Sequence, residues 1–459
     1  LKGSRSRTPV FRICRLCFAT LLSLSLVLAL AGSASAEKIL LKADGWEVFT
    51  DGRVAGFVSQ VNGDGNPVGG PGTYVMNYPD GMMVRDTVQG GGWPAETSNG
   101  NSSANPPVQG TVNMTRLRSG FLGNQFNFGV RGQVTPYTTV TGYISIWAYI
   151  ESDQRAKASP NPADIRQGYA KIEGPWGSFL AGRTRTLFSR GATDINVLYA
   201  HRWGVGFPSV VDTHGPTQGM VGFGVMGSGF AAAMIYGTPV IGGVQLNVGA
   251  FDPASLSGGG FTRTEYPRAE AELTFQQTFS NGGKFVLFGN GLFQNVYKDG
   301  FCDATTNGGG PCQTTAAGVG YGGRFEVGPV HIGLAGHYGQ GLGLSYALEN
   351  SIAAFDPQGN PRRIDGYYAQ SQFVLGRFDL FAGWGITRIF LTTLDKADPP
   401  LDSSPNSVIK YQMGTNAGVV FNMTPNVHFD LEYFRAQAAW FRGEKQVLNT
   451  GAFGMTFNW

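Results

Sequence analysis

Few groups in this chain combine residue type and spacing in a way that suggests chemistry. Gly222-Phe223-Gly224-Val225-Met226-Gly227 has the G-x-G-x-x-G spacing that lets backbone amides approach a phosphate. That use needs a helix after the last glycine, and Ser228-Gly229-Phe230-Ala231 instead reads as a continuing glycine-rich strand, which argues against a nucleotide. His428, Asp430 and Glu432 share one strand parity, but solvated charges account for them more simply than an acid/base pair. His331 and His337 also share a parity, and the extended chain between them spans about 20 Å, too far for one metal ion. Neither H-E-x-x-H nor G-x-S-x-G occurs, and no cysteine pair after residue 36 has zinc spacing. The sequence therefore predicts no enzyme, no metal and no cofactor. Cys302 and Cys312 bracket a polar, Gly-rich stretch and read as a disulfide that closes a short loop in an exported chain.

Export is read from the first 36 residues. Lys2, Arg5, Arg7, Arg12 and Arg15 precede an apolar run from Phe18 to Leu30, and Ala34-Ser35-Ala36 supplies a cleavage site, the pattern of a secretory signal peptide. Residues 37–459 are then the mature chain. The formal charge of +3 over 459 residues includes those five basic residues and no acid, so the mature chain sits near −2. Overall basicity thus gives no argument for nucleic-acid binding. The 69 glycines, 12 % aromatic and 14 % charged residues fit neither collagen nor simple disorder.

The elements that must carry these residues are strands. Val427, Phe429, Leu431 and Tyr433 alternate with His428, Asp430 and Glu432, and Ala269, Ala271, Leu273 and Phe275 alternate with Glu270, Glu272, Thr274 and Gln276. No segment keeps a 3.6-residue period over three turns. The apolar parity is rich in aromatics while the other mixes glycine with charge, as in a wall with lipid outside and a wet lumen inside. Short turns at 135–137, 174–176, 238–240, 280–283, 328–330, 376–377 and 424–426 alternate with long polar loops. The expected fold is an all-β transmembrane antiparallel barrel of about sixteen strands, with both termini on the short-turn side. Between Arg118 and Arg131 the parity slips, which predicts a bulge near Leu122 to Gln125.

Taken together, the signal segment, the opening Val54-Ala55-Gly56-Phe57-Val58 strand, the sixteen-strand layout, the long third loop after Gly182-Arg183-Thr184-Arg185 and the terminal Phe457-Asn458-Trp459 resemble the trimeric general porins of Gram-negative bacteria. The resemblance implies an outer-membrane homotrimer in contact with lipid and lipopolysaccharide, passing small hydrophilic solutes and ions. Phe457 and Trp459 are similar to the family's assembly signal. In such porins the third loop folds inward, and its acids face a basic ladder on the wall. Carried over, the loop is 186–219 with Asp194 and Asp212, and the ladder is Arg53, Arg116, Arg118, Arg131, Arg166, Lys171, Arg183 and Arg185. A transverse field between opposed charges would orient polar solutes. Here the loop also carries Arg190 and Arg202, with His201 and His214, so an acid excess is absent and weak selectivity with an anion preference is expected. A sugar- or anion-specific channel, with Tyr199 and Trp203 as a stacking track, and a plugged adhesin barrel are the alternatives.

Overall fold

The computed structural model describes residues 37–64, 68–69, 73–74, 111–118, 124–148, 163–195, 220–256, 261–280, 282–298, 302, 311–348, 354–356, 358–397, 409–441 and 445–459. The expected signal segment lies outside them. Strands β1 (Lys38–Ala43), β2 (Trp46–Asp64), the two-residue β3 (Val68–Gly69) and β4 (Thr73–Tyr74), β5 (Thr111–Arg118), β6 (Asn124–Thr135), β7 (Thr138–Ala148), β8 (Ala163–Gly174) and β9 (Gly177–Arg185) lead to helix α1 (Arg190–Ile195). Next come β10 (Phe230–Gly237), β11 (Val244–Phe251), β12 (Phe261–Arg263), β13 (Arg268–Thr278), β14 (Lys284–Lys298), β15 (Gln313–Val327) and β16 (Val330–Gln340). The chain ends with β17 (Arg363–Leu375), β18 (Phe378–Phe390), helix α2 (Thr393–Ala397), β19 (Ile409–Asn422), β20 (Val427–Trp440) and β21 (Lys445–Asn458).

Consecutive strands pair antiparallel around the wall, and β21 closes it on β2 from Arg53↔Asn458 to Gly63↔Leu448. Strands β5 and β6 lie in one line against β2, and β12 and β13 lie in one line beside β14, so the wall has sixteen staves. The register changes across the place of the expected bulge, of which residues 119–123 lie outside the described ones. Arg118 pairs with Phe57 and Gln125 with Arg53, so one strand advances seven positions while the other advances four. An odd surplus exchanges the two faces, which is why parity slips there. Strand β1, absent from the expected layout, folds back on Trp46–Thr50 and prolongs the line in which β21 ends.

Burial is reversed relative to a soluble protein. Val54, Val58, Leu431, Phe453, Met455 and Phe457 are exposed on the outside, while Asn416, Asp430, Glu432, Thr450 and Thr456 are buried inside. This is the arrangement of a wall solvated by lipid. The lumen is nevertheless not polar throughout. Phe188, Ile195, Met220, Phe223, Val225, Leu342 and Leu344, brought inward by loops, form a buried cluster with the wall residues Phe288, Leu292, Phe434 and Ala436. The expectation of a uniformly wet interior is corrected accordingly: apolar residues on the inward parity pack against folded-in loops.

Wall height varies around the barrel. Strands β10 and β11 have 8 residues each, whereas β14 and β15 have 15. At a 40° tilt, eight residues rise only about 20 Å, against an apolar band about 25 Å tall. Strand β10, Phe-Ala-Ala-Ala-Met-Ile-Tyr-Gly, shows no alternation because both faces are covered or apolar: Ala233 and Ile235 pack inward on Leu187 and Phe251, and Met234 and Tyr236 point outward.

Candidate functional site

The third loop does enter the barrel. After β9 the chain turns at Ser189, which has φ 66°, and forms α1 inside the wall. The wall residues that hold it are Glu270 and Glu272 on β13, not basic ones. The Phe188 N–H donates to Glu270 Oε2 at 2.8 Å and the Gly191 N–H to Glu272 Oε2 at 3.1 Å. Arg190 Nε donates to Glu272 Oε1 at 2.9 Å, and Arg268 Nε stands 2.8 Å from Glu270 Oε1. Gly191 lies directly on the Phe288 ring, where a Cβ would collide. Asp194, at the far side of the helix, accepts from Arg185 at 2.9 Å. Charge therefore pairs loop with wall in both senses, loop cation to wall acid and wall cation to loop acid. Sequence reasoning missed Glu270 and Glu272 as site residues, although their parity opposite Ala269 and Ala271 already placed them on the lumen face.

The predicted ladder is only partly assembled. Arg53 and Arg166 are buried on the lumen side. Arg166 lies over the rings of Trp147 and Phe230, at 5.3 and 5.7 Å, with Asp164 at 2.8 Å. Lys171 is 2.6 Å from Glu173. Arg131 lies on the lumen parity but close to the short turn at Pro136-Tyr137, held by Glu37 at 2.6 Å and Glu47 at 2.9 Å, so it belongs to the mouth and not to the constriction. The Arg116 and Arg118 backbones pair with Ser59 and Phe57, whose own side chains are buried within the wall.

Arg183 is a correction. It pairs with Gly168 and Ala232 on the outward parity, four residues after the outward Phe179, and its side chain is exposed on the outer surface. Its Nε donates to the Arg166 carbonyl at 3.3 Å. Alternation counted from the chain end of β9 does not reveal this, since neighbouring Arg185 still reaches Asp194 inside the barrel. Arg202 and Asp212, with His201, His214, Tyr199 and Trp203, fall outside the described residues.

The loop also extends further than expected. Residues 220–229 are not strand but cross the lumen, and β10 starts only at Phe230. The Thr186 N–H donates to the Gly229 carbonyl at 3.0 Å, closing the base of the loop. Cys302 and Cys312 form the expected disulfide, with Cα atoms 5.7 Å apart. At the chain end, Trp459 and Gly52 exchange both backbone hydrogen bonds at 3.1 Å, and the Trp459 ring stacks on Phe457 and meets Phe126.

The sequence pattern of the Gram-negative porin family matches residues 22–437. Among solved structures, the DcaP outer-membrane channel of Acinetobacter baumannii superposes with a TM-score of 0.59 at 15 % identity, over 91 % of this chain and 99 % of that one. The anion-selective porin of Comamonas acidovorans gives 0.56 at 10 %, over 90 % and 100 %. The trimer form of OmpT, an outer-membrane protein of Vibrio cholerae, gives 0.50 at 12 %, over 91 % and 100 %. At these identities the likeness shows the fold. No curated protein sequence matches the chain.

Proposed function

Because the chain belongs to the Gram-negative porin family and is an outer-membrane channel for solutes, we propose that it works as a general diffusion pore with weak ion selectivity. The observation that carries this reading is the inward helix α1, docked on Glu270 and Glu272 inside a closed sixteen-stave wall, so that solutes pass a constriction and no covalent chemistry is needed. Weak selectivity is supported by pairing. Arg131, Arg166, Lys171, Arg185 and Arg190 each have a carboxylate within 2.9 Å. Paired charges supply both donors and acceptors to a neutral hydrophilic solute and give little net field to separate cations from anions. Of the residues behind the expected anion preference, Arg190 is balanced by Glu272, while Arg202, His201 and His214 fall outside the described residues. The Comamonas acidovorans relative is an anion-selective porin; its selectivity would need unbalanced cations here.

The reading extends to export through residues 1–36, to recognition of Phe457 and Trp459 during assembly, to contact with outer-membrane lipid and lipopolysaccharide, and to a homotrimer. The trimer is supported by the low wall at β9 to β11, by the outward Arg183, and by the trimer form of the Vibrio cholerae relative. The test is a planar-bilayer recording of the purified protein in a salt gradient. Conductance in groups of three steps with a reversal potential near zero is expected. Silent bilayers, or a strong preference for either ion, would replace this reading with a plugged barrel or a specific channel.

A further inference from the structure

The G-x-G-x-x-G run, which binds no phosphate in the reading above, lies where the third loop meets the opposite side of the barrel. Strands β9 and β10, between which the loop leaves and returns, are the fifth and sixth staves; β18 and β19 are the thirteenth and fourteenth, half the circumference away. Gly222 and Gly224 have φ of 82° and 97°, a left-handed backbone open to glycine. The turn they form is closed on itself: the Gly222 N–H donates to Val225 O at 2.8 Å, and the Phe223 N–H to Met220 O at 2.9 Å.

This turn sits backbone to backbone on the wall. A Cβ on Gly224 would strike the Tyr367 carbonyl of β17, and one on Gly385 of β18 would strike the Phe223 carbonyl. A Cβ on Gly414 of β19 would stand 2.7 Å from the Phe434 ring and 2.9 Å from the Phe223 Cβ. Between these glycines the buried Thr387 hydroxyl accepts from the Gly224 N–H at 2.9 Å, and the Phe223 ring meets Phe434 edge-on at 5.3 Å. On the way back, the Gly227 N–H donates to Ser345 O at 2.7 Å and Arg185 Nε to Ser228 Oγ at 3.3 Å.

The geometry points to a latch. Gly222–Gly227 is the tip of a strap seated in a saddle made by Gly385, Gly414 and Thr387, and its seating fixes the line along which the loop crosses the lumen, hence the aperture left to solutes. The strap has little slack. Gly224 is seated on the wall and β10 begins six residues later at Phe230, a stretch that reaches about 21 Å even when fully extended. A tip that leaves its seat therefore cannot hand its displacement to spare residues; the whole return arm must swing. The same freedom that lets glycine backbones approach a phosphate here lets two protein backbones touch, and the sequence motif marks that closeness without naming the partner.

This inference rests on the diffusion-pore reading, and the test separates the two. Full-length protein carrying Thr387→Val, which keeps the shape and removes the acceptor, is compared in planar bilayers with Thr387→Ser, which keeps the hydroxyl. Thr387→Val should flicker between levels, with a mean conductance raised roughly twofold as the loop withdraws, and Thr387→Ser should match the wild type. A second variant, Phe223→Ala, which removes the ring that meets Phe434, should flicker likewise. A conducting wild type, with Thr387→Val and Phe223→Ala both unchanged, overturns the latch alone. A wild type that gives no conductance overturns the pore reading and the latch with it.

Discussion

Arg190 and Glu272 form an ion pair between the inward helix α1 and the wall, and their burial is unequal. Glu272 is 2 % exposed while the Arg190 side chain is 26 % exposed. Truncating the arginine would leave a carboxylate in the wall without its counter-charge, an arrangement that costs about 3–5 kcal/mol, whereas removing both charges costs much less. Arg190→Met should therefore detach α1 and give noisy, enlarged conductance, and adding Glu272→Gln should restore quiet channels; a double variant as noisy as the single one would refute the pairing argument. A second pair lies in the loops. Asp395 is buried, which alone would push its carboxyl up, but Arg362, donating at 2.8 Å to both oxygens, and the Thr392 N–H at 2.9 Å hold it below the ordinary carboxylate value. Asp395 returns its own N–H to Thr392 Oγ1 at 3.1 Å, so the two cap α2 reciprocally. A lowered folded value means that this stabilisation is whole above about pH 4, near the unfolded carboxylate value, and is lost as pH falls through the folded one. Protection of the Thr393–Ala397 amides, taken against their intrinsic exchange rate at each pH, should hold from neutrality down to about pH 5 and fall only below about pH 4, and Asp395→Asn should lose protection at neutral pH; protection that is independent of both would show the clamp to be idle. None of these pairings was legible in the chain alone, because Arg190 and Glu272 are 82 positions apart and their contact exists only once the barrel closes.

Strands were the most legible elements, and the reason is local. A wall with lipid on one side and water or packed loops on the other must alternate, so Val427–Tyr433 and Ala269–Gln276 announce both strand and facing. Prolines in the short turns, as in Thr135-Pro136-Tyr137 and Thr424-Pro425-Asn426, mark where pairing stops, since proline cannot donate to a ladder. Where both faces are covered the signal fades, as in β10, and where a glycine-rich segment packs on other glycines it imitates a strand, as at residues 220–229. Alternation also fails to say which loop stays outside. The Cys302–Cys312 loop is a case in which local sequence does suffice: ten positions separate the two cysteines, both fall between the long strands β14 and β15, and the cross-link restrains only that connection. Closing so short a loop removes unfolded-chain entropy equivalent to about 3 kcal/mol. Reduction, or Cys302→Ser with Cys312→Ser, should make the loop an easier target for protease while leaving single-channel conductance and heat-dissociation temperature unchanged; a change in conductance would place this loop in the permeation path.

At the scale of the whole molecule, the uneven wall sets what this side of the barrel demands of its surroundings. Arg183 is the seventh residue of β9 from the short-turn side, about 16 Å up an apolar band about 25 Å tall. A guanidinium facing lipid at that depth costs about 2–4 kcal/mol, less towards the interface. Beside it, β10 and β11 are too short to fill the band, so lipid would have to thin against this side. Both penalties vanish if another copy of the same wall covers this face, because protein can supply acceptors for the arginine and height for the missing residues. An apolar concavity of about 950 Å³, floored by Ala250, Ala271 and Ala317, begins on the same low wall at Phe179 and Met234. Arg183→Leu distinguishes the two environments by sign. If the face meets lipid, the substitution removes a misplaced charge and should raise the unfolding temperature of the monomer. If the face meets a second copy, it removes a contact, so the trimer band on an unheated gel should disappear at a lower temperature while the monomer barrel stays heat-modifiable. The second outcome is expected, and a trimer that survives Arg183→Leu with greater thermal stability would move the subunit contact to another wall.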